Sequence, residues 1–114
     1  MNTGSTYLLI SIYVLAALLL VMSVPLANGK VAPNGVFGFR TARTLRDANT
    51  WYAANRFSGR VGIACAVAMA ALGTLLMIVG RTLSFSQFAL WATACELMPL
   101  AAATIVLLAY NSRL

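Results

Sequence analysis

Three apolar windows, each long enough to cross a bilayer, constrain this chain more than anything else in it. They run from about Tyr7 to Ala27, from Val61 to Gly80 and from Leu83 to Tyr110. A spanning helix needs about 20 apolar residues to match a hydrocarbon core of about 30 Å. Backbone polar groups find no water there, so such segments satisfy them internally, as helices. Of the 114 residues, 61% are hydrophobic and 9% charged, against roughly 25% charged in soluble domains. The chain reads as one all-α integral membrane domain, residues 1–114. It is a three-helix bundle with a hydrophilic loop, residues 28–60, between its first two spans. The first window is not read as a cleaved signal. Met1–Thr6 has no Lys or Arg, the apolar run exceeds a signal core, and Pro25-Leu26-Ala27 lacks a small first residue.

Charge gives the chain a direction. Six of its eight basic residues, Lys30, Arg40, Arg43, Arg46, Arg56 and Arg60, fall in the loop. The residues before the first window have none, and the turn between the second and third has only Arg81. Positive loops stay in the cytoplasm. That places the loop and Arg113 inside and the N-terminus outside. A net charge of +6 beside apolar spans meets anionic phospholipid headgroups first; nucleic acid is not a direct partner on this reading.

The loop divides in two. Residues 30–42 are turn-like, with Asn34-Gly35 and Gly38 at positions where positive φ is cheap. Thr44-Leu45-Arg46-Asp47 then fits a capping box, Thr44 as N-cap and Asp47 at N3. A short helix from about Leu45 to Ser58 follows. Its aromatics Trp51 and Tyr52 and its arginines suit the headgroup layer, and it turns at Ser58-Gly59 into the second span. Trp51 and Asn55, four apart, share a helix face. Trp51 would anchor in the interface while Asn55 bonds loop backbone. Arg40, just after a turn, can hold carbonyls, a carboxylate or a phosphate.

Within the spans, Ser58, Gly62, Ala66 and Ala70 recur every four residues, followed by Gly73. Small residues at this spacing let helix backbones approach in lipid, inside the bundle or across a homo-oligomer. Cys65 and Cys95 differ in depth by roughly 10 Å at about 1.5 Å per residue, so a disulfide is not expected. Glu96 is the one charge within the third window. An intramembrane carboxyl costs about 2.5–3.5 kcal/mol on insertion scales, so it faces the interior, is protonated or pairs. Pro99 frees the carbonyl of Cys95, and a protonated Glu96 donating to that kinked backbone is one solution.

Catalytic chemistry has little to work with. The chain has no histidine and only two acids, Asp47 and Glu96, in different regions. No metal-ligand spacing is present, and Gly35-Val36-Phe37-Gly38 has neither the spacing nor the preceding strand of a phosphate loop. Neither an enzyme, a metal nor a cofactor is expected.

The loop also carries a long pattern. Pro33-Asn34, then Gly38-Phe39-Arg40-Thr41, Arg43-Thr44-Leu45, Trp51-Tyr52, Asn55-Arg56 and Gly59-Arg60 resemble the signature of the SdpI family. These are bacterial inner-membrane proteins named for immunity to a sporulation-delaying toxin. The resemblance implies a short, three-span form acting by binding, with a toxin peptide or a cytoplasmic regulator as partner. It places interest on Pro33, Asn34, Gly38, Arg40, Thr41, Thr44, Trp51, Asn55 and Arg56. The residues themselves allow two uses: locking the loop against its helix, or forming a docking surface. Two rivals remain. One is a small proton-coupled transporter or channel subunit using Glu96, and the other an accessory subunit of a larger membrane complex.

Overall fold

The computed structural model describes all 114 residues as three helices: α1, Thr3–Ala27, α2, Ala48–Val79, and α3, Phe85–Ser112. Each is long and apolar enough to cross a membrane. Asn2 caps α1, its side chain accepting from the Ser5 N–H at 2.7 Å. The other end closes where Gly29 adopts φ +67. The N–H of Gly29 bonds Leu26 and that of Lys30 bonds Pro25, the paired bonds of a Schellman ending. α3 begins with a capping box between Ser84 and Gln87, which satisfies two N-terminal donors at once.

α2 corrects the sequence reading. No separate interfacial helix precedes the second span; one continuous helix of 32 residues does both jobs. Its N-cap is Asp47, whose carboxylate accepts from the Thr50 N–H at 2.7 Å, not Thr44. The helix does not turn at Ser58-Gly59. A glycine in a helix costs only about 1 kcal/mol, and here it earns a close approach. A Cβ on Gly59 would collide with the backbone of Ala27 and Ser23, and one on Gly62 with the Ser23 hydroxyl. Thirty-two residues span about 48 Å at 1.5 Å each, well beyond a hydrocarbon core of about 30 Å. The excess falls at its polar N-terminal end, residues 48–60, which carries Asn49, Asn55, Arg56 and Arg60 and forms a stub on the loop side of the apolar stretch.

The small-residue face of α2 serves the bundle's own interior. Ser58, Gly62, Ala66 and Gly73 are buried, and a Cβ on Gly73 would touch Ile12 of α1. A cluster of Leu9, Ile12, Leu76, Phe88, Ala92 and Cys95 closes the end of the bundle away from the loop. Nearer the loop the core thins to Ala16, Cys65 and Met69. Both cysteines are free. Only 22 of 114 residues are buried, and large apolar side chains such as Leu18, Val21, Ile78, Leu97 and Ile105 are exposed. Patches of that extent are rare on soluble monomers; lipid is the solvent that suits them.

Candidate functional site

The loop folds onto the α2 stub. Asn34 starts it. Its side-chain oxygen accepts from the N–H groups of Val36 and Phe37 at 2.8 and 2.7 Å. Its amide donates to the carbonyls of Ala32 and Phe37. All of that side chain's polar capacity goes into one turn, the local backbone mimicry at which Asn excels. Arg40 braces the turn, its Nε donating to the Asn34 carbonyl at 2.9 Å. Pro33 stands exposed before it.

Gly38 is where loop meets helix. It adopts φ +117, and a Cβ there would lie 2.7 Å from Asn55 Oδ1 and 3.1 Å from the Trp51 ring. Both the backbone and the space demand glycine. Gly35 does not share this role. Its φ is not positive, and no atom lies within 4 Å of a Cβ placed there. Trp51 is fully buried, and its indole N–H donates to the Val31 carbonyl at 2.8 Å. It is a core for the loop, not the interfacial anchor its type suggested. Asn55 does bond loop backbone: its carbonyl accepts from the Phe39 N–H at 2.7 Å and its amide donates to the Trp51 carbonyl.

Thr44 is also fully buried. Its hydroxyl accepts from the Thr41 N–H at 2.8 Å and lies 2.8 Å from the Phe39 carbonyl, to which it donates. That explains why it does not cap α2: its oxygen is committed inside the turn. Asp47, exposed, caps instead. The Thr50 backbone N–H, then the Thr50 hydroxyl, hold its carboxyl below its ordinary value, with Arg46 adding to the effect.

The loop also grips α3, whose Asn111 the sequence did not single out. The Thr41 hydroxyl donates to Asn111 Oδ1 at 2.7 Å, and Arg43 donates to the Asn111 carbonyl at 2.9 Å. Phe57 stacks on Tyr110 with ring centroids 4.4 Å apart. The only hint was a polar Asn beside Tyr110 at the end of an apolar window. Its partners lie about 70 residues away, beyond the reach of local pattern.

Arg56 is exposed and lies against Gly29; a Cβ on that glycine would meet its guanidinium at 2.7 Å. A cation there favours the negative end of α1, which has no basic residue of its own in its last turn. The single ion pair in the molecule is Arg46–Asp47 at 3.5 Å, with both side chains more than half exposed, a pair that contributes little. The other basic residues have no carboxylate partner.

Glu96 sits apart from all this. Its Oε1 lies 2.9 Å from the Ser11 hydroxyl, linking α3 to α1. The bond expected to the Cys95 carbonyl is not formed. Ser11 on the neighbouring helix lies within reach, and the sequence could not align the two helices to show it. Tyr13 and Thr74 make a similar link between α1 and α2 at 2.6 Å. The structure gathers Asn34, Gly38, Arg40, Thr41, Thr44, Trp51 and Asn55 into one unit and leaves Glu96 apart, half-buried on the outer seam between α3 and α1.

Three membrane-spanning helices around a folded, cationic loop describe a multi-pass membrane protein, and no cluster of three His, Cys, Asp or Glu accompanies them. The SdpI/YfhL protein family pattern matches residues 30–111, covering the loop, α2 and nearly all of α3. The chain belongs to that family, and as a member it is a non-catalytic membrane protein. Over 62 residues it is 37% identical to the uncharacterized protein YfhL of Bacillus subtilis (strain 168). That match spans 54% of this chain and 54% of the relative, about half the length of each. No solved structure matches.

Proposed function

We propose that this protein is a toxin-immunity or toxin-signalling factor of the bacterial inner membrane, acting by binding through its loop. The loop faces the cytoplasm, with the N-terminus outside and the C-terminus inside, in keeping with its six basic residues. One observation carries the reading. The residues behind the family resemblance build a rigid platform, and that platform presents Val36, 92% exposed, beside Arg40. A surface held this firmly loses little entropy on docking. The partner is a toxin peptide or a cytoplasmic regulator. Glu96 is engaged with Ser11, which favours a structural role for it over proton coupling.

The test is protection of a toxin-sensitive bacterium expressing the chain. Arg40→Ala and Trp51→Ala should lose protection, while Glu96→Gln should keep it. If Glu96→Gln alone abolishes protection, and the loop variants do not, the transporter reading replaces this one. Stable co-purification with a large complex in mild detergent would favour the accessory subunit. Fusions reporting the side of each terminus check the orientation independently.

A further inference from the structure

Beneath the loop the three helices do not close. α1 and α2 meet closely here, Gly59 against the α1 backbone and Gly62 against the Ser23 side chain, but α3 stands off at this level. Its residues 101, 102 and 104–106 are exposed. The result is a cleft of about 480 Å³, open at the side and roofed by residues 36–39 of the loop. Its walls are Leu19, Met22 and Leu26 of α1 against Leu100, Ala103 and Leu107 of α3. Three hydroxyl residues, Ser23, Ser58 and Thr104, interrupt this apolar lining. Ser23 and Ser58 are 4% and 8% exposed and both border the cleft. Thr74, Thr93 and Thr104 bond the carbonyl four residues back; Ser23 and Ser58 have no such bond. Neither serine oxygen is both fully buried and without a partner.

We propose that this cleft binds one anionic glycerophospholipid. An acyl chain lies between α1 and α3, its ester oxygens accept from the two serine hydroxyls, and its phosphate meets Arg40. Three things select this occupant. Ser23, Leu26 and Ser58 stand at the loop ends of the first two apolar windows, which by length alone match the hydrocarbon, so the mouth falls at the level of ester and headgroup. Arg40 directly follows Phe39, the last roof residue, and uses Nε on the Asn34 carbonyl, which leaves its two terminal nitrogens free for an anion. The chain supplies no carboxylate to meet it, since Asp47 pairs with Arg46 and Glu96 lies with Ser11. The site is separate from the toxin reading, because its test contains no toxin.

The test is native mass spectrometry of the delipidated full chain in mild detergent. Phosphatidylglycerol and phosphatidylcholine with the same acyl chains are titrated in turn. Phosphatidylglycerol should saturate at one molecule per chain and bind roughly tenfold tighter, as charge-assisted bonding to Arg40 implies. Arg40→Gln should remove the headgroup preference while leaving binding. Ala103→Trp and Met22→Trp, which fill the cleft from opposite walls, should each remove the stoichiometric lipid. Met22 is half exposed, so its variant decides the matter if Ala103→Trp does not fold. Unsaturable binding that ignores the headgroup overturns the proposal. So does lipid retention by a well-folded Met22→Trp, or saturation by an apolar helical peptide that excludes lipid.

Discussion

Replacing Trp51 with Ala is the sharpest test of how the loop is held. The ring is fully buried in the polar stub of α2, so its burial comes from the loop and not from lipid. It packs under Gly38, and its N–H holds the Val31 carbonyl. Truncating a buried Trp costs about 3–5 kcal/mol. Nearly all of that should appear as easier opening of residues 31–46, because those are the groups it touches. The loop carries its own reporters: trypsin cuts after Arg40, Arg43 and Arg46. When opening is fast relative to cleavage, the rate follows the open population. At about 1.4 kcal/mol per tenfold, Trp51→Ala should raise cleavage at these sites by at least roughly a hundredfold. Cleavage after Arg81, in the opposite turn, should not change and serves as the internal control. Trp51→Phe keeps most of the ring but loses the N–H bond, about 1 kcal/mol, and should raise cleavage roughly fivefold. An acceleration below roughly threefold for Trp51→Ala would refute the argument, since the loop would then be held by something other than the stub.

Other perturbations probe the remaining joints. Gly59→Ala should lower the thermal midpoint in detergent by the equivalent of about 1–3 kcal/mol of overpacking. Gly35→Ala, with no atom within 4 Å of its Cβ, should leave it unchanged. Asn111→Ala removes the acceptor of the Thr41 hydroxyl, worth about 1 kcal/mol; amide exchange over residues 108–112 should quicken roughly fivefold. Asp47, with its carboxyl held below the ordinary 3.8, favours the folded cap. That contribution is complete above 3.8 and fades as pH falls through the lowered folded-state value. The Thr50 amide resonance should therefore titrate with a midpoint below 3.8, and Asp47→Asn should abolish the transition.

Much of this architecture is legible in the chain, for a reason specific to membranes. Lipid offers backbone no partners, so an apolar run of sufficient length has one solution, and the three helices follow. The capping signals were harder to read. Thr44 and Asp47 are both good N-caps three residues apart, and the competition was decided by the turn before them: Phe39 and Thr41 had already claimed the Thr44 hydroxyl. The Ser58-Gly59 pair reads locally as a break. It is a contact, because α1 lies against it. Trp51 beside arginines has the composition of an interfacial residue, yet the loop wraps it. In each case the local signal was genuine and another contact overrode it, within the turn for Thr44 and from distant residues for Gly59 and Trp51. Ser11 with Glu96, and Asn111 with Thr41, had no local signal at all.

That distinction also separates the residues of the family resemblance by what they are free to do. Asn34, Gly38, Thr44, Trp51 and Asn55 have their polar atoms or their space committed to the loop itself. Substituting them would disturb any function the loop has, so loss of activity there shows that the folded loop is needed and not which residues touch the partner. Thr41 is committed to Asn111 and ties the loop to α3. Arg40 differs: one nitrogen braces the turn and the rest of the guanidinium is uncommitted. Val36 differs further, held in place by Asn34 but touching little with its own side chain. A lysine at position 40 would keep the charge and lose the planar fork. Arg40→Lys and Val36→Asp are therefore the substitutions in which a change of recognition can be told from a change of fold.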